Sequence, residues 1–169
     1  MIKESVHIEI RQKDSTMDVW ISQVLKRYWA SVNVVSRGQL YDASRLPAII
    51  AYQNNNPIGL LTYHIAGKEY EIVTLNSLRE NIGVGSKLIQ SAKNIASAHH
   101  CERIWLITTN DNLHALHFYQ KRGFTISTIY CNAIEKSRQL KPNIPLMGSN
   151  GIPIRDEIEL EMKIKYLPS

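Results

Sequence analysis

The sequence predicts an α/β or α+β domain built on a mixed sheet. Three observations carry this. Both ends of the chain carry runs that alternate apolar and polar residues, the signature of strands with one covered face. Residues 48–75 read as three strands joined by tight turns, an antiparallel meander. Residues 103–109, RIWLITT, form a near-continuous apolar run between two helical patterns, as expected of a strand covered on both faces.

The elements follow in order. In residues 5–11, Val6, Ile8 and Ile10 share one face of a strand. Ser15 or Thr16 is placed to cap a helix over about 17–30 that turns Val19, Trp20, Val24 and Leu25 inward. Residues 31–45, with Gly38 and several polar groups, read as a loop with room for a short helix. Residues 48–52 form a short apolar strand, Asn54-Asn55-Asn56-Pro57 a turn, and 57–65 the returning strand. Gly67-Lys68 turns the chain into a strand over 69–75. A helix over about 84–99 carries Leu88, Ala92, Ile95, Ala96 and His99 on one stripe. After the strand 103–109 a second helix covers about 112–121 and stops at Gly123, a C′ glycine. Residues 124–130 form a strand. Asn132 and Glu135 have capping-box spacing for a helix over 133–140. Residues 141–156, with three prolines and two glycines, form a long irregular segment of the kind that usually serves function. The strand 157–165 points Ile158, Leu160, Met162 and Ile164 inward.

The 169 residues suit a single domain, 1–169, with no interdomain linker or internal repeat. No apolar run approaches the roughly 20 residues of a membrane span, and the first residues lack a signal-peptide core. A cytoplasmic protein with no membrane partner is expected. Cys101 and Cys131 are the only cysteines, too few for a disulfide framework, and are read as packing residues. His114 and His117, or His99-His100-Cys101, lack the second pair of ligands a zinc site needs, so no metal is expected. The formal net charge of +5 suits a polyanionic small ligand. Its scattered distribution argues against a specific nucleic-acid partner.

The informative stretch is 71–86, EIVTLNSLRENIGVGS: a strand, a polar turn and a glycine-flanked helix start. The first amides of a helix lack intrahelical partners, and the dipole favours an anion beyond them. A diphosphate on residues 82–87 is therefore expected, on the amides of Ile82, Gly83, Val84, Gly85, Ser86 and Lys87, with glycine admitting the phosphates to the backbone. Two common phosphate loops fail on residues. A dinucleotide fingerprint wants a small residue where Leu88 stands, and a P-loop wants Gly-Lys-Ser/Thr where the chain has Gly85-Ser86-Lys87.

The stretch 112–124 decides between the remaining possibilities. Asn112, Ala115, Tyr119, Gly123 and Phe124 match Asn-x-x-Ala-x-x-x-Tyr-x-x-x-Gly-Phe at every fixed position. Together with Val73-Thr74-Leu75 and the loop Glu80-Asn81-Ile82-Gly83-Val84-Gly85, the sequence resembles the GNAT superfamily of acyl-CoA-dependent N-acetyltransferases, over about residues 46–130. The resemblance implies a mostly antiparallel sheet of about six to seven strands flanked by helices and splayed between its fourth and fifth strands. It implies acetyl-CoA as co-substrate and direct attack by a primary amine, expected on a small molecule, with a peptide or protein amine second and a homodimer left open. Val73 and Leu75 would hold the pantetheine arm, the Leu75 amide would polarise the carbonyl, Asn112 would reach the arm, and Tyr119 would protonate the leaving thiolate. Glu69 and Glu71, on one side of a strand, are both candidates for the base: family register favours Glu69, the buried part of the strand Glu71. The family has Gln or Arg where this chain has Glu80. Glu80 is expected to point away, with Arg79 or Lys87 supplying positive charge. Residues 131–156 would wall the acceptor pocket, where Arg138, Lys141 and Arg155 could meet an acidic acceptor or the 3′-phosphate of CoA. Trp29, Tyr41 and Trp105 either line the site or pack the core. The competing classes are a non-catalytic acyl-CoA-binding module, which would not need Tyr119 together with Asn112, and a nucleic-acid-binding protein suggested by charge alone.

Overall fold

The computed structural model describes residues 7–164. Its strands are β1 (Glu9–Gln12), β2 (Asn33–Ser36), β3 (Gln39–Asp42), β4 (Ala48–Gln53), β5 (Asn56–Ala66), β6 (Glu69–Ser77), β7 (Arg103–Thr109), β8 (Thr125–Tyr130) and β9 (Glu157–Lys163). Its α-helices are α1 (Asp18–Trp29), α2 (Val84–Ala98), α3 (Leu113–Gln120) and α4 (Ala133–Leu140). Seven strands form one sheet in the order β1-β4-β5-β6-β7-β9-β8, and β2 and β3 form a separate hairpin. All neighbours in the main sheet are antiparallel except β6 and β7. The expected mixed, mostly antiparallel sheet is what forms.

The parallel pair places the site. β6 and β7 are in register only from Glu69↔Arg103 to Ile72↔Leu106. Beyond that β6 runs on to Ser77 and β7 to Thr109 without pairing. The sheet therefore splays between its fourth and fifth strands, as the resemblance implied. A bulge sharpens the turn-away: Thr62 faces Thr74 and Tyr63 faces Ile72, so Val73 is the extra residue. Bulges increase local twist and re-aim the chain, here at the opening of the splay.

Each sheet face has its own core. On one, Leu88, Ala92 and Ala96 of α2 and Tyr119 of α3 pack on Leu61, Ile72, Ile104 and Leu160. On the other, Ile21, Val24 and Leu25 of α1 and Val34 of β2 pack on Ile50, Leu60 and Val73. Val19 is exposed, and Ile21 takes the inward place expected of it, because α1 is entered from a 3-10 turn (Ser15–Met17) that shifts the helix phase. The side-chain cap is Asp14, accepting from the Thr16 amide, rather than Ser15 or Thr16. His99 lies past the end of α2 and is exposed. Of the other expected α2 positions, only Ile95 is less than fully buried.

Three further expectations change. Residues 31–45 are the β2–β3 hairpin, closed by Arg37 and Gly38 at φ 48 and 74; two positive φ values are what a tight hairpin turn requires. Asn132 adopts a left-handed conformation and makes no side-chain cap, so the capping box does not form. Cys131 is exposed, while Cys101 packs in the core. The expected strand 5–11 is seen as β1 from residue 9, and its residues 5–6 lie outside the described residues, as does residue 165 of the last strand.

Candidate active site

The splay opens a groove of about 370 Å³ between the free edge of β6, the end of β7, the start of α2 and one face of α3. Val73, Thr74 and Leu75 line it from β6, Gly83, Val84 and Gly85 from α2, and Asn112, Ala115 and Tyr119 from α3. The face predicted from the spacing of Asn112, Ala115 and Tyr119 is therefore the one turned to the groove. Asn112 also caps α3, accepting from the Ala115 amide at 3.1 Å.

The start of α2 is organised by two glycines with different work. Gly83 is the N-cap of α2 at φ 91, a conformation an L side chain resists. Gly85 admits a ring: a Cβ there would lie 2.6 Å from Cζ of Phe118. Glycine at 85 thus lets α3 approach α2 and form the groove wall. Ile82 packs against the core, while Ser86 and Lys87 are exposed and are not among the residues that line the groove.

Part of the positive charge near the start of α2 comes from a residue the sequence reading missed. Arg122 lines the groove, donates from Nε and Nη2 to Ser86 Oγ at 3.1 and 3.0 Å, and donates from Nη1 to the Phe118 carbonyl at 2.9 Å. Its guanidinium lies 3.6 Å over the Phe118 ring. It stands one residue before Gly123, inside the motif but at a variable position. Arg79 also lines the groove, tied to Gln53 at 2.8 Å, and Lys87 does not. Glu80 does not turn away from the site: it lines the groove mouth, exposed.

Tyr119 is 8% exposed in the groove wall, its ring edge-on to Phe118 and Phe124. Burial pushes its phenol pKa up, which keeps it protonated through neutral pH.

Neither expected base lines the groove. Glu69 is paired with Arg103 at 2.9 Å. Glu71, 2% exposed, accepts from Ser36 Oγ at 2.6 Å and from the Tyr41 hydroxyl at 2.9 Å. Burial pushes the Glu71 pKa up, and those two donors offset it only in part. Both acids face a small cavity with Tyr41, His64 and Trp105.

A further cavity of about 180 Å³ opens off the groove, sharing Trp29, Ile72, Val73, Ile107, Thr108 and Asn112 with it. Ser36 lines both this cavity and the one beneath it that holds Glu71. From the segment 131–156, Ile134, Ser137, Lys141, Ile144 and Ile154 line this cavity. Arg138 does not face an acceptor. Its guanidinium donates to the carbonyls of Ile144, Pro145 and Ile154 at 3.2, 2.7 and 2.8 Å and pins that segment to α4. Arg155 is spent on Asp156 at 2.8 Å. Among the described residues no group of three or more His, Cys, Asp or Glu is arranged to hold a metal, and no helix is long and apolar enough to cross a membrane.

Comparison with known proteins agrees with this geometry. The model of the acetyltransferase (GNAT) family matches residues 15–124. The Bacillus subtilis (strain 168) protein YdhI, itself uncharacterized, is 41% identical over 139 residues, covering 82% of this chain and 87% of that protein. A Bacillus subtilis acetyltransferase solved in complex with CoA superimposes with a TM-score of 0.70 at 20% identity, over 94% of this chain and 100% of that one. A GNAT family acetyltransferase from Elizabethkingia anophelis with acetyl-CoA bound gives 0.66 at 21% identity, over 95% and 99%.

Proposed function

The chain belongs to the acetyltransferase (GNAT) family, and from that premise we propose that it is an N-acetyltransferase moving the acetyl group of acetyl-CoA to the primary amine of a small molecule by direct attack. The observation that carries the proposal is the splay itself. One groove joins an unpaired strand edge, a helix N-terminus with an arginine beside it, and a buried tyrosine. Those are the parts needed by a long ligand with amides in its middle, phosphates at one end and a thioester at the other.

Acetyl-CoA, when bound, supplies a thioester carbonyl open to a neutral amine. The backbone of Val73 and Leu75 would pair with its amides as a missing strand would. The α2 amides from Gly83 on, with Arg122, would hold its phosphates. The Leu75 amide would steady charge developing on the carbonyl oxygen. Tyr119 would hand its proton to the departing sulfur as the new N–C bond forms and the C–S bond breaks. The amine must lose a proton, and Glu71 would receive it through Ser36, whose hydroxyl gives its own proton to Glu71 while taking one from the acceptor side. The upward shift at Glu71 suits a base, since it brings the carboxylate nearer neutrality. A non-catalytic acyl-CoA-binding module would leave the Ser36–Glu71 connection and Tyr119 without work.

The test has two readouts. Acetyl-CoA at about 100 times its Kd should stabilise the protein by roughly 2.7 kcal/mol, visible as a rise in melting temperature. An amine panel should release free CoA thiol. No shift at millimolar acetyl-CoA would sink the proposal.

A further inference from the structure

We infer that the cavity beyond the splay is an acceptor subsite for an α-amino acid with a compact aliphatic side chain, its ammonium on Glu157 and its carboxylate on Lys141. This rests on the acetyltransferase reading and names the class of amine it takes.

Glu157 and Lys141 both line this cavity. Glu157 stands opposite Thr109 of β7, at the splayed end of the strand, and is 2% exposed. One carboxylate oxygen accepts from Ser137 Oγ at 2.8 Å and the other from the Arg37 amide at 3.2 Å. No cation among the described residues pairs with it. A buried anion held only by neutral donors calls for a positive partner, because desolvation without pairing is costly. Lys141 is the reciprocal case. It is half-buried, and its Nζ donates to the Trp29 carbonyl at 2.9 Å. That uses one of three donors, and no acid among the described residues pairs with it.

The two charges belong to one site. Ser137, which holds Glu157, stands in the last turns of α4, and Lys141 is the residue that ends the helix; all three line the same cavity. An α-amino acid carries its ammonium and its carboxylate on one carbon, so a single small ligand in this cavity brings a partner to each. The other walls, Trp29, Val34, Ile107, Ile134, Ile144 and Ile154, are apolar and suit an aliphatic side chain. A peptide N-terminus would offer Lys141 a neutral amide instead of a carboxylate. The amine on Glu157 also stands where it is needed. The Arg37 amide that binds Glu157 directly follows Ser36, the hydroxyl leading to Glu71.

The experiment measures thiol release from acetyl-CoA with valine, leucine, isoleucine and methionine, each beside its amide and its decarboxylated amine. Wild type, Lys141→Met and Glu157→Gln are compared. Wild type should favour at least one amino acid over its two analogues by tenfold or more in kcat/KM. Lys141→Met should collapse that ratio, mainly through KM for the amino acid. Glu157→Gln should lower turnover of amino acid and amine alike, with the acetyl-CoA-induced melting shift retained. Preference for the amide or amine, an equal loss on all three in Lys141→Met, or no amino-acid turnover by protein that acetyl-CoA still stabilises would each overturn the subsite. Absence of any acetyl-CoA shift would instead take down the acetyltransferase reading beneath it.

Discussion

At the scale of single residues, the proposed function would have Tyr119 and Arg122 divide the groove between chemistry and binding. Tyr119 carries a proton in a site where burial holds the phenol neutral. Tyr119→Phe keeps the ring against Phe118 and Phe124 and removes only the hydroxyl. It should lower kcat on the order of 10²-fold, with acetyl-CoA affinity nearly unchanged. Steady-state kinetics with a direct titration would check this, and unchanged turnover would remove the acid role. Arg122 should show the opposite split. Arg122→Met retains a long apolar stem over Phe118 but loses the charge, and hydrogen bonds to charged groups contribute about 1.5–3 kcal/mol each. Acetyl-CoA affinity should fall about tenfold or more, and its decline with added salt should flatten, since a screened charge has been removed. An affinity loss that leaves the salt dependence intact would mean that Arg122 serves α2–α3 packing alone.

At the scale of elements, the segment 141–156 reads in sequence as irregular chain, yet it is held at defined points. Asn110 accepts from the Arg155 and Asp156 amides and donates to the Pro153 carbonyl, and Arg138 gathers three carbonyls from the same segment. Arg138 reaches these carbonyls from two separate nitrogens of a planar fork, a spread that the compact ammonium of lysine lacks. Arg138→Lys should cost about 1–3 kcal/mol of stability and raise KM for the acceptor while leaving acetyl-CoA binding alone. Melting curves and two-substrate kinetics separate the two effects. The groove elements were the legible part of the chain. The meander, β7, the glycine turn and α3 follow from periodicity and turn chemistry, which are local. The acceptor side was not. β2 and β3 have four residues each, too few for alternation to stand out, and only the Arg37-Gly38 pair hinted at a hairpin. Glu157 and Glu159 looked like the wet face of an alternating strand. They are buried because β9 lies between β7 and β8, with the β2–β3 hairpin and α4 supplying Arg37 and Ser137 to the acids. Covering of that kind comes from segments far away in sequence. Glu71 was placed in the right strand, but its partners, Ser36 and Tyr41, belong to the hairpin taken for a loop.

At the scale of the whole molecule, these buried acids should set how stability follows pH. Arg103 is the hub: it pairs with Glu69, Glu159 and Glu161 and bridges β6, β7 and β9 where the sheet is still closed. Burial opposes ionisation of Glu159, but hydrogen bonds from Tyr130 and Arg103 outweigh it and hold its pKa below the ordinary range. Hydrogen bonding from Arg103 does the same for Glu161. A carboxylate lowered by folding contributes stability that is fully present above its unfolded pKa, 4.5 for these groups, and is lost as pH falls through the folded value. Glu71 runs the other way. Its raised pKa favours the fold when protonated, and that contribution is lost as pH rises from 4.5 through the folded value. Arg103→Met should therefore cost most near neutrality, about 2–3 kcal/mol, less than breaking a fully buried pair costs because Arg103 keeps some solvent contact. As pH falls below 4.5 and through the lowered folded values of these carboxylates, the deficit should shrink. Melting temperatures of wild type and variant across about pH 3–8 would show two curves that converge on the acid side. Parallel curves would mean that Arg103 closes the sheet by packing and not by charge, and the base of the splay would then owe nothing to its acids.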